Sequence, residues 1–155
     1  LEAMSGHVNG AHAAIDWTPI RYICRSVPRP KIAGLMRRAD ICLVTPLADG
    51  MNLVAKEYVA AQDPEDPGVL ILSHFAGAAE RMHAALGVNP YDIDEMARAI
   101  REAVAMPVDE RRARHAELLE GVEREGISWW TGNFLARLEA VRKDAREAEC
   151  ADGTD

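Results

Sequence analysis

The sequence predicts an α/β fold: a parallel sheet with helices packed on its flanks. Three observations carry that prediction. Two short, wholly apolar runs, Ile41-Cys42-Leu43-Val44 and Val69-Leu70-Ile71-Leu72, suit strands covered on both faces. Segments with apolar residues at i, i+3 and i+4 separate them, at the 10- to 15-residue lengths (roughly) of βαβ units. Connectors rich in Pro, Gly and Asp stand where one periodicity gives way to the other.

Along the chain, Met4, Val8, Ala11 and Ile15 lie at helical spacing from the start. Residues 20–24 read as a short extended run after Trp17-Thr18-Pro19, and Ser26-Val27-Pro28-Arg29-Pro30 reads as a loop, since each Pro pushes its predecessor out of the helical region. Ile32, Leu35 and Met36 place an amphipathic helix over 31–39, ended by Asp40 ahead of the strand at 41–44. After the loop Thr45-Pro46-Leu47-Ala48-Asp49-Gly50, a helix is expected over 51–62, with Met51, Val54, Ala55 and Tyr58 on one face. A turn-rich connector at 63–68 leads to the strand at 69–72, then a loop and a helix over 76–86. Val88-Asn89-Pro90 reads as a strand end, Asp92 as the cap of a helix over 93–105, and Met106-Pro107 as its break. The stretch to Lys143 is helical with interruptions near Gly121, Gly126 and Gly132, and 144–155 is a polar, frayed tail. About four strands are expected in all.

At 155 residues, the chain has the length of one domain. Its 48% hydrophobic and 28% charged residues are ordinary for a globular protein and exclude disordered or collagen-like classes. No run of 18 apolar residues supplies a membrane span. With 18 Lys and Arg against 25 Asp and Glu, the net charge of -7 argues against nucleic-acid or anionic-membrane partners. A locally positive pocket could still take a small phosphorylated ligand. Cys24, Cys42 and Cys150 are an odd set with no CxxC pair, expected to be free thiols, the first two buried in apolar runs. No metal site is expected. The chain opens on Leu1, inside a helix and with no signal-peptide pattern, as expected of a trimmed intracellular, cytoplasmic chain.

The segment richest in chemistry is Asp49-Gly50-Met51-Asn52-Leu53-Val54-Ala55-Lys56-Glu57. Gly50 lets the backbone approach a ligand, and the helix opening near Met51 offers unpaired N–H groups and a positive dipole end for a phosphate or diphosphate. The Asp49 carboxylate could accept from sugar hydroxyls. Glu57, about two turns deeper, could accept from a diol such as that of a ribose. A carboxylate at each end of a phosphate site would cradle a nucleotide sugar. Equally, Asp49 could do no more than cap the helix, and Glu57 could be a solvated residue beside Lys56.

The wider wording decides between these readings. The run Leu43-Val44-Thr45-Pro46-Leu47-Ala48-Asp49-Gly50-Met51-Asn52-Leu53-Val54-Ala55-Lys56-Glu57-Tyr58-Val59-Ala60-Ala61-Gln62 resembles the donor-site signature of trehalose-6-phosphate synthases. The resemblance extends upstream to Trp17-Thr18-Pro19-Ile20 and downstream through Pro67-Gly68-Val69-Leu70-Ile71-Leu72-Ser73, Phe75-Ala76-Gly77-Ala78-Ala79 and Val88-Asn89-Pro90-Tyr91-Asp92, reaching about Val141.

That family comprises retaining glycosyltransferases with two Rossmann-like domains facing across a cleft (GT-B). They move glucose from UDP-glucose to glucose 6-phosphate and release UDP. The resemblance implies that residues 1–143 are the later part of the C-terminal, donor-binding domain, with a crossing helix at about 127–143. It gives Asp49 the glucose hydroxyls and the catalytic role, Gly50, Met51 and Asn52 the sugar through their backbone, Leu53 and Val54 the diphosphate, and Glu57 the ribose. Val27 falls at the position whose backbone reads the uracil. The family needs no protein nucleophile and no tightly bound metal, so no cofactor is expected beyond the substrate UDP-glucose. Its diphosphate-binding Arg and Lys, its acceptor-phosphate arginine and its glucose 6-phosphate domain match nothing here, so this chain alone is expected not to transfer glucose. A stand-alone, non-catalytic module that binds nucleotide sugars or pairs with a subunit is the alternative; a transferase for another nucleotide sugar is a third.

Of the remaining candidates, His74 follows a strand at the ligand end of the sheet and reads as a loop residue. His7, His12, His83 and His115 read as solvated, as does Glu110-Arg111-Arg112-Ala113-Arg114. Trp129 and Trp130 open the last helix, with Phe134 and Leu138 at helical spacing from Trp130. Core packing is the simple reading for at least one of these tryptophans. The resemblance adds that the helix crosses towards the absent domain, which would leave an apolar face open to self-association.

Overall fold

The computed structural model describes the backbone of residues 1–152 and the side chains of residues 1–142. The chain divides into two compact units, Leu1–Ile32 and Ala33–Asp155.

In the first unit, α1 (Glu2–His12) has no buried residue. After it, Ala14 and Trp17 form an isolated antiparallel bridge. The Asn9 carboxamide closes the following turn: its Nδ2 donates to the Ile20 carbonyl and its Oδ1 accepts from the Ile20 N–H, both at 2.9 Å. The extended run expected at 20–24 is not a strand, because among the described residues no strand pairs with it. Cys24 is accordingly exposed rather than buried.

The second unit carries the sheet, which has three strands among the described residues and not four. Helix α2 (Arg29–Arg38), begun in the first unit, ends just before β1 (Ile41–Val44). β2 (Val69–Ser73) pairs in parallel with β1, Ile41 opposite Val69, and with β3 (Leu86–Val88), Ile71 opposite Leu86. The strand order is β1-β2-β3. All five residues of the central strand β2 are buried. β1 is an edge, and its Leu43 is 45% exposed although its apolar run suggests full burial.

Because side chains alternate along a strand, β2 serves both layers. Leu70 and Leu72 join Val44, Tyr58, Val59 and Leu118 in the core beneath α3 (Leu53–Ala61) and α5 (Val108–Arg124). Val69 and Ile71 join Leu86, Val88, Ala99 and Ala103 beneath α4 (Ile93–Ala105). α4 starts as its sequence dictates: the Asp92 carboxylate accepts from Glu95 N–H at 2.9 Å, while the Glu95 carboxylate accepts from Asn89 N–H at 3.0 Å. Two amide donors are thereby satisfied at the chain's entry into the helix.

Four expectations are corrected here. The helix expected at 76–86 is a single 3-10 turn, Gly77–Glu80, and Leu86 belongs to β3. Only the interruption near Gly126 separates helices, since Gly121 lies within α5 and Gly132 within α6 (Ile127–Asp152). His115 is buried, its Nε2 3.0 Å from the Val59 carbonyl oxygen, and so ties α5 to the end of α3. The arginines at 111–114 are not merely solvated: Arg111 donates to the Pro67 carbonyl and pairs with Asp66 at 2.7 Å, and Arg114 donates to the Ala84 carbonyl at 3.1 Å. These bonds fasten α5 over the connectors. The expected tail at 144–155 begins inside α6 as far as Asp152; its side chains, Cys150 included, and residues 153–155 lie outside the described residues.

Candidate nucleotide-sugar site

Seven of the eight residues singled out from the sequence lie between β1 and the middle of α3, beyond the carboxyl end of the sheet, where open parallel sheets bind ligands. Val27 lies in the first unit.

The loop from β1 to α3 is strapped to the loop after β2. Asp49 N–H donates to the Phe75 carbonyl at 3.1 Å, Gly77 N–H to the Asp49 carbonyl at 3.0 Å, and Ala78 N–H to the Met51 carbonyl at 2.8 Å. The buried Ser73 adds a fourth tie, its hydroxyl donating to the Pro46 carbonyl at 2.8 Å and accepting from Phe75 N–H at 3.1 Å. Gly77 permits this approach, since a Cβ there would overlap the Gly50 carbonyl oxygen.

Held in this way, the chain enters α3 through Asn52, whose φ of 71° and ψ of 88° are left-handed. The Asn52 Oδ1 accepts from Ala55 N–H at 3.0 Å and caps the helix. The helix therefore begins at Leu53, two residues later than the periodicity suggests, and Asp49 is not its cap. Instead the Asp49 carboxylate accepts from Met51 N–H at 3.3 Å and from Asn52 Nδ2 at 3.0 Å.

The first-turn amides of Leu53 and Val54 have no acceptor within the helix, and they stand at its positive end. The side chains of both residues face outward, 61% and 46% exposed, so the inward stripe of α3 is Ala55, Tyr58 and Val59. Glu57 is exposed and follows Leu53 by four residues on the same face.

Beside this loop opens a cavity of about 600 Å³. Gly50, Met51, Leu53 and Lys56 line one wall, and Arg81 and Trp129 contribute to the other. The Arg81 guanidinium lies 4.6 Å over the Trp129 ring and pairs with the Glu125 carboxylate at 3.0 Å. Asp49, Asn52, Val54 and Glu57 are not among its lining residues.

Sequence reasoning missed Lys56 and Arg81, the two cations of this cavity. For Lys56 a signal existed, since it follows Leu53 by three residues on a helix and so shares its side. For Arg81 none did, because its pairing with α5 and α6 is purely tertiary. Neither tryptophan proves to be core: Trp129 is half-buried on the cavity, and Trp130 stacks on Phe134 at 5.3 Å between centroids with both rings exposed. His74 is a loop residue whose ring covers Gly87. Among the described residues no group of three or more His, Cys, Asp or Glu is placed to hold a metal ion, and no helix is long and apolar enough to cross a membrane.

The profile of glycosyltransferase family 20 matches residues 1–140. A trehalose-6-phosphate synthase from Cronobacter sakazakii is 50% identical over 149 residues, which are 96% of this chain and 31% of that protein. Among solved structures, an α,α-trehalose-phosphate synthase (UDP-forming) from Burkholderia xenovorans in complex with glucose-6-phosphate superposes with a TM-score of 0.86 at 53% identity, over 90% of this chain and 31% of that one. A structure from E. coli bound with UDP-2-fluoro glucose gives 0.84 at 49% identity, over 88% and 30%. The chain thus spans about 31% of the length of the curated relatives it matches.

Proposed function

The chain belongs to glycosyltransferase family 20, and on that premise we propose that it supplies the nucleotide-sugar half of a UDP-forming trehalose-6-phosphate synthase. One observation carries this reading. The strapped loop sets a carboxylate (Asp49), a glycine turn (Gly50) and the open amides of a helix start (Leu53, Val54) in immediate succession.

In this reading the donor is UDP-glucose. Asp49 accepts from the glucose hydroxyls and the backbone of Gly50, Met51 and Asn52 holds the ring. The diphosphate rests on the amides of Leu53 and Val54, where the helix end favours negative charge. Lys56, on the wall of the adjoining cavity, adds a positive charge. Glu57 takes the ribose hydroxyls. The acceptor, glucose 6-phosphate, attacks the face that the departing diphosphate vacates, which retains the anomeric configuration. No protein nucleophile and no metal enters; the chain's work is to position the donor and offset developing charge. The acceptor site belongs to the part of the relatives that this chain does not match.

Two measurements test the reading. Incubated with UDP-glucose and glucose 6-phosphate, the purified chain should release no UDP; turnover would refute the division of labour. Amide chemical-shift titration should show UDP-glucose binding at about millimolar strength, about 4 kcal/mol, with shifts at Met51, Leu53 and Val54, and Glu57→Ala should weaken it several-fold. Binding that ignores Glu57→Ala would remove the ribose role.

A further inference from the structure

We infer that Asn52 acts through its side chain as the positioning residue for Asp49, aiming the carboxylate at the sugar while fixing the start of α3. The inference rests on the donor-site reading above and adds a residue role to it.

Asn52 is the one non-glycine residue with positive φ among the described residues. Such a conformation is strained by roughly 1 kcal/mol or more for a residue with a Cβ, and Asn and Gly tolerate it best. Gly would meet the backbone requirement alone, but it would leave two groups unserved. Ala55 N–H is only a donor and needs an acceptor, which Oδ1 provides at 3.0 Å. The Asp49 carboxylate, ionised, is only an acceptor and needs a donor, which Nδ2 provides at 3.0 Å. The two neighbours also fix which end of the carboxamide is which. Asp could replace Asn as a cap and in backbone conformation, yet it has no donor for Asp49. Only a carboxamide of this length satisfies all three demands at once.

The consequence falls on Asp49, whose side chain is on an exposed loop and would otherwise sample several rotamers. Its Oδ1 is held by Met51 N–H at 3.3 Å and its Oδ2 by Asn52 Nδ2 at 3.0 Å. A carboxylate offers about four acceptor positions, so about two stay open. Two anchors on different oxygens fix the plane of the group, and therefore the direction of the open positions. The same carboxamide sets Leu53 and Val54, so the sugar-facing and phosphate-facing elements share one hinge.

The test compares UDP-glucose with UDP by amide chemical-shift titration of the 155-residue chain and two variants. In the unaltered chain, UDP-glucose should bind several-fold tighter than UDP, the difference reporting the sugar contact. Asn52→Asp keeps the cap and removes the donor, so UDP-glucose affinity should fall at least threefold more than UDP affinity. Asn52→Gly keeps the backbone and removes both bonds; it should lose the same discrimination and also weaken UDP. Equal losses for both ligands in Asn52→Asp, or full discrimination retained in Asn52→Gly, would overturn the positioning role while leaving the donor site standing. An unaltered chain that binds neither ligand, or binds both equally, would overturn the donor-site reading and this inference with it.

Discussion

Gly77 and Gly50 meet backbone to backbone: a Cβ on Gly77 would overlap the Gly50 carbonyl oxygen and stand 3.0 Å from its carbonyl carbon. The contact joins the loops that follow β1 and β2. Gly50 cannot turn aside freely, because Asp49 before it and Met51 after it both accept from the 77–78 amides at 3.0 Å and 2.8 Å.

Gly77→Ala should therefore be destabilising by about 1–3 kcal/mol, the usual range for overpacking a close contact. Its effect should be local. A denaturation midpoint measures the first part, and amide shifts confined to 49–53 and 75–79 measure the second. A variant as stable as the parent would mean that the two loops separate without cost.

Much of the architecture was legible because particular residues carry it alone. The apolar runs at 41–44 and 69–72 became β1 and β2, and Asp92 alone marked the start of α4. The failures have physical causes. Residues 76–86 have helical composition, but the packing of Gly77 on Gly50 and the pairing of Leu86 with Ile71 outcompete a helix there. Residues 20–24 look like a strand and lack a partner, which no single segment can reveal. Asp49 and Asn52 are both capping residue types three apart, and the sequence does not say which one caps; the strap to Phe75 and Gly77 decides in favour of Asn52. For His115 a signal was present and overlooked, since it shares a helical stripe with the core residue Leu118 and with Val122.

The two described thiols should differ in reactivity. Cys24 is exposed, whereas burial raises the Cys42 pKa and so lowers its thiolate fraction at neutral pH. With a modest excess of iodoacetamide on the folded chain, peptide mapping should find Cys24 alkylated well before Cys42, and denaturant should erase the difference. Equal rates in the folded chain would show that the edge strand β1 opens readily. The comparison thereby reads the stability of the strand that delivers the Asp49 loop.

Tyr58 makes the stability of the fold depend on alkaline pH. Its side chain is buried in the core between α3 and the sheet, and its hydroxyl donates to the Ala39 carbonyl at 2.9 Å. Burial raises its pKa well above the ordinary value, with the neighbouring Cys42 and Asp40 pushing the same way and Arg111 opposing. The unfolded chain releases this proton near pH 10, whereas the folded chain holds it. The stability Tyr58 contributes is thus fully present below about pH 10 and is lost as pH rises towards its folded pKa. Tyr58→Phe keeps the ring and removes both the bond and the titration. It should be less stable at pH 7 by about 1 kcal/mol, the net worth of one hydrogen bond. The gap should narrow as pH climbs from 9.5 to about 11, because only the parent chain is then penalised. Thermal midpoints for the pair across that pH range give the answer, and a gap that stays constant would show that the Tyr58 hydroxyl is not held protonated by its burial.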